Sequence, residues 1–193
     1  MALNYEFSRF VTDWLAKADN IKLESIATYF DKFFTLYVVY NRLYAEATFA
    51  LSRKGQINIS SEKPFPDRKA ATNYVVKLIG SASLVGAITN NTECSAALSQ
   101  IEKLIEQNVF SIKLHMVTGE RQREKDENLL RRLRDRNQNT KAEAILDLIY
   151  SIRCNTFHGH KEFEGVQIEI LDPIIVLLET LIGLIRDKLA NWD

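Results

Sequence analysis

At 193 residues, with 25 Lys and Arg against 25 Asp and Glu, the chain has a formal net charge of zero and length for one domain with a sizeable core. Its 46% hydrophobic and 26% charged composition is that of a globular protein and excludes a disordered one. The charge balance excludes a protein that coats nucleic acid non-specifically, yet leaves room for a local basic site. Three prolines and seven glycines are too few for the turns of a sandwich or barrel, so the expected class is all-α. Cys94 and Cys154 fit no metal or redox spacing, which suits free thiols in a reducing, cytoplasmic setting. Residues 1–10 carry Glu6 and Arg9 and lack a signal peptide's apolar stretch. The most apolar run, residues 173–185, contains Glu179 and is too short to span a bilayer, so no membrane partner is expected.

In chain order, residues 4–18 place Phe7, Phe10, Val11, Trp14 and Leu15 at helical spacing. A longer helix follows from about Leu23 to Arg53, with Phe30, Phe33, Phe34, Tyr37, Tyr40 and Tyr44 in one stripe. Such a stripe can stack bases, but its period is that of a helix core. Residues 54–66 read as a connection, and Asp67 as the N-cap of a helix through Ile79. Residues 80–91 are ambiguous. Asn91 or Thr92 can cap the next helix, which carries Ala97, Leu98, Ile101, Leu104 and Ile105 and is expected to run to about Val117.

Composition changes at Gly119. Residues 121–141 hold eight basic and four acidic side chains, with leucines only at 129, 130 and 133. This charged insertion, about residues 119–141, reads either as a solvated loop with a short ion-paired helix or as a basic arm that meets phosphates. On the second reading Arg121, Arg123, Arg131, Arg132, Arg134 and Arg136 are the candidate RNA contacts. Helical period resumes from about residue 141 to 158, and Gly159 suits the left-handed position after a helix end. Val166, Ile168 and Ile170 alternate, which predicts a short extended piece over residues 165–170. Asp172 and Pro173 then read as cap and first turn of a last helix, about residues 173–190, that is apolar nearly all round.

Only one segment concentrates groups that can do chemistry. In residues 152–161, Arg153, Asn155, His158, His160 and Lys161 bring guanidinium, amide, imidazole and ammonium groups to the end of one helix. On an ideal helix Arg153 and His158 stand roughly 140° apart. For both to meet one substrate, the helix must end between them or a twofold-related copy must complete the site. A histidine between a helix C-terminus, which favours its cation, and an arginine, which opposes it, can exchange protons near neutral pH. The guanidinium can hold a phosphate diester and stabilise charge on its oxygens. Together they suit attack of an RNA 2′-hydroxyl on its own phosphate, which requires neither metal nor cofactor. Metal ligation by His158, His160 and His115 competes with this, without an acidic or cysteine partner at useful spacing. A helix end capped and solvated by these side chains is the plainest alternative.

Residues 153–159, Arg-Cys-Asn-Thr-Phe-His-Gly, resemble the hallmark of the HEPN domains: Arg, four to six residues, then His, near the end of the penultimate helix. Tyr150, Ile152, Lys161 and the apolar last helix are similar to the family pattern, and residues 40–44 loosely resemble an aromatic stretch of some members. The resemblance covers about fifty C-terminal residues. It implies a single HEPN-like helical bundle over residues 1–193, with extra helices. It also implies a homodimer through the motif helix and the last helix, acting as a metal-independent endoribonuclease in antiphage defence, a toxin–antitoxin system or a stress response. Arg153 would engage the scissile phosphate, His158 would be general acid or base, and Asn155, His160 and Lys161 would support them. An antitoxin or regulatory protein is a further implied partner. Cys154 stands where many members carry a polar residue, and His160 where one toxin subgroup carries a nucleotidylated Tyr. The resemblance is also compatible with a non-catalytic module that binds RNA, a nucleotide or a protein.

Overall fold

The computed structural model describes residues 5–60, 62–115, 117–157 and 167–192. Among them the apolar periods resolve into eight helices: α1 (Tyr5–Asp19), α2 (Ile26–Arg53), α3 (Asp67–Ile79), α4 (Ser81–Asn90), α5 (Thr92–Glu106), α6 (Arg123–Leu133), α7 (Gln138–Phe157) and α8 (Ile168–Ala190). The only β-type pairing among these residues is an isolated antiparallel bridge between Leu114 and Arg121. The class is all-α.

Local chemistry sets the helix ends. At the start of α2, the Ser25 hydroxyl accepts the Thr28 N–H at 3.4 Å while the Thr28 hydroxyl accepts the Ser25 N–H at 3.0 Å. This reciprocal cap contributes about 1 kcal/mol. Asn91, rather than Thr92, caps α5 by accepting the Cys94 N–H at 3.0 Å. Gly80 takes φ 88° between α3 and α4, a conformation open to glycine, and the two helices meet at 89°. Inside α3, residues 70–74 form a π-helical turn, and the Tyr40 hydroxyl donates to its Ala71 carbonyl.

The aromatic stripe of α2 is core: Phe33, Tyr40 and Tyr44 are fully buried, and Phe30 and Tyr37 nearly so. α8 packs most extensively on α2 and then α5. Its Leu177, Leu178, Leu181 and Ile185 are fully enclosed, each stabilising the fold by about 1.5–3 kcal/mol. No single helix among the described residues is long and apolar enough to cross a membrane.

Three sequence expectations are corrected. Asp67 lies within the first turn of α3, and Pro66 precedes it; its carboxylate accepts the hydroxyls of Tyr44 and Tyr150, so it is occupied away from the helix end. α5 stops at Glu106, where Asn108 turns to φ 56° and the Arg123 guanidinium takes the Ile105 carbonyl at 2.6 Å. The extended piece before the last helix fails from Ile168 onward, because α8 already begins there and buries Ile170, Leu171, Ile174 and Ile175 on a three- and four-residue period. Pro173 therefore sits inside α8 and not at its first turn. The Glu169 carbonyl it leaves without a helical donor accepts the Gln100 side-chain amide at 2.9 Å.

Candidate functional site

Asp147, Tyr150, Ser151, Cys154 and Asn155 follow one another on α7 at three- and four-residue steps, so they share a face. That face forms one wall of a cleft of about 930 Å³. α6, the loop of residues 112–122 and Arg68 of α3 complete it.

The most buried part of the cleft is built on Asp147, whose side chain is 8% exposed. Its Oδ1 accepts Arg68 at 2.6 Å, and its Oδ2 accepts Lys113 at 2.8 Å and Arg132 at 3.3 Å. Lys113 also donates to the Ser151 hydroxyl at 2.7 Å. Burial works against the Asp147 carboxylate, but Lys113 and Arg68 outweigh it and hold its carboxyl below the usual aspartate range. Burial likewise pulls the Lys113 ammonium below the ordinary lysine value, with Asp147 opposing the shift. The pair with Lys113, only 14% exposed, matters most; Arg68 is 64% exposed and its ion pair is screened by water.

The loop is fastened from both walls. Asp126 of α6, fully buried, accepts the N–H groups of Ile112 at 3.1 Å and Lys113 at 2.7 Å. Asn155 of α7 donates its amide to the Ile112 carbonyl at 2.6 Å. These bonds satisfy backbone groups that the cleft wall would otherwise bury unpaired.

Arg153 lies one residue from Cys154 and does not line the cleft. It is half-buried, with its guanidinium 5.5 Å from the centroid of the Tyr37 ring. Burial opposes its charge, while Tyr37, Cys154 and Asp67 favour it, and its pKa ends above the ordinary arginine value. Among the described residues the Tyr37 hydroxyl is buried without a hydrogen-bond partner, and burial pushes its phenol far up. Burial, with Cys154 and Asp67 nearby, also raises the Tyr150 phenol. Tyr150 joins the two neighbourhoods, since Arg68 stands 5.9 Å over its ring.

The residues nominated from sequence separate into distinct places. His158, His160 and Lys161 lie outside the described residues. Asn155 faces the loop backbone. Arg131 and Arg132 line the cleft, Arg132 through Asp147. Arg123 serves the end of α5 and pairs with Glu127 at 2.9 Å, and Arg134 is held by Glu102 and Glu106 at 2.8–3.0 Å. Arg121 and Arg136 are exposed. Sequence reading missed Arg68, Lys113 and Asp147. One signal marked them: an aspartate among the apolar residues of α7, which needs a cationic partner when buried. No protein-family model, curated protein or solved structure matches this chain.

Proposed function

We propose that the protein is a dimeric, metal-independent endoribonuclease of the HEPN type, cytoplasmic, acting in defence, toxin–antitoxin or stress biology. The observation that carries this reading is the placement of Arg153 in the last turns of α7, beside a cleft lined by Arg68, Lys113, Arg131 and Arg132. A cationic cleft next to a guanidinium suits a phosphodiester chain. Pairing of two copies through α7 and α8 follows from the HEPN resemblance. In the proposed chemistry Arg153 binds the scissile phosphate. His158 takes the 2′-hydroxyl proton or returns one to the leaving 5′-oxygen, giving a 2′,3′-cyclic phosphate.

The test is cleavage of single-stranded RNA in excess EDTA by the wild type, Arg153→Ala and His158→Ala. We expect cyclic-phosphate products and a loss of at least about a hundredfold in each variant. Undiminished cleavage in both variants, or none by the folded wild type, would overturn the assignment. A second reading, a non-catalytic RNA- or protein-binding module of the same fold, draws support from the half-buried stacking of Arg153 on Tyr37. It predicts RNA retention without cleavage, with Arg153→Lys binding as the wild type does.

A further inference from the structure

We propose that the most buried part of the cleft is a binding site for a phosphomonoester of nucleotide size, separate from Arg153 and resting on the same cationic cleft as the cleavage reading. Three cations, Arg68, Lys113 and Arg132, converge on the single carboxylate of Asp147 and leave an excess of two positive charges in a recess where Lys113 is only 14% exposed. Among the described lining residues, Lys125 and Arg131 add two more cations against Glu124 alone. A phosphomonoester dianion matches the excess of two around Asp147, whereas a diester carries half of that charge.

The donors suit the same group. Arg68 and Arg132 offer planar forks and Lys113 a point charge, while the Ser151 hydroxyl, which donates to the Asp147 carbonyl at 2.7 Å, helps to hold Lys113 in place. Arg68 and Arg132 are 64% and 31% exposed, so both reach solvent while touching Asp147. The volume, about 930 Å³, accommodates a nucleotide, and Leu114, Val117 and Tyr150 supply apolar surface for a base.

The experiment is calorimetric titration of the full chain with adenosine 5′-monophosphate, 3′,5′-cyclic adenosine monophosphate and adenosine, with folding of each variant checked by circular dichroism. We expect one monophosphate per chain, bound at least about tenfold tighter than the cyclic diester, and no adenosine binding. Arg68→Ala and Arg132→Ala should each weaken the monophosphate about ten- to a hundredfold, and Arg9→Ala, on the exposed surface of α1, should leave it unchanged. Any of four results overturns the site: no binding by the folded wild type at millimolar ligand; equal affinity for the cyclic diester; no loss in either cleft-arginine variant; or an equal loss in Arg9→Ala. RNA cleavage is read separately, so loss of one activity leaves the other measurable.

Discussion

Asp147 divides its two oxygens unequally, with Arg68 on Oδ1 at 2.6 Å and both Lys113 and Arg132 on Oδ2. Its charge therefore sets the state of the whole recess. Asp147→Asn keeps the shape but leaves Lys113 enclosed without its counter-charge, and should destabilise the fold by about 3 kcal/mol in urea denaturation at pH 7. The pH dependence follows from the lowered carboxyl pKa. The stabilisation is fully present above the pKa of an unfolded aspartate, about 3.9, and disappears as pH falls through the lower folded value. The urea midpoint of the wild type should fall more steeply below pH 4 than that of Asp147→Asn. Parallel acid limbs would refute this account. Reading residues singly from sequence brought out Arg153 and Asn155, because they stand in one local run. It could not bring out Asp147, whose partners lie 15, 34 and 79 positions away.

Helix identity at the element scale was legible wherever an apolar period ran unbroken, as in α1, α2, α5 and α7. Two of the misplaced boundaries share one physical cause: a distant side chain satisfies a backbone group that local sequence leaves open. Arg123 closes α5, and Gln100 lets α8 pass through Pro173. The second case can be tested by a double-mutant cycle. Gln100→Ala should cost about 0.5–1 kcal/mol in the wild type, since Glu169 loses its donor. In a Pro173→Ala background the restored N–H at position 173 reoccupies that carbonyl, and the same substitution should cost close to nothing. Equal effects in both backgrounds would show that Gln100 acts by some other contact.

Across the whole molecule, zero net charge conceals an uneven distribution. The basic tract looks like one arm in sequence, yet the fold ties Arg134 to surface carboxylates and Arg123 to Glu127 and the Ile105 carbonyl, and leaves Arg131 facing the cleft. Their effects on RNA binding should differ accordingly. In fluorescence anisotropy, Arg131→Ala should reduce the slope of log affinity against log salt by about 0.7, the value for one phosphate contact on a single strand. Arg134→Ala should leave the slope unchanged and lower the melting temperature instead. Equal slopes in the two variants would mean that the tract meets RNA as a unit. This partition was illegible from composition, because ion pairing depends on which helices the bundle brings together.

The long separations around Asp147 bear on how the protein comes into being. Arg68 must wait for a partner 79 residues further along, and closing so large a loop is slow unless the intervening helices have already docked. On the ribosome, α1 to α6 can emerge and collapse while the recess is still missing its floor, which arrives only with α7. A chain interrupted just before residue 147 thus carries the whole basic tract and none of the assembled site. Synthesis itself acts as a timer: the recess is born only after roughly three-quarters of the polypeptide has been made.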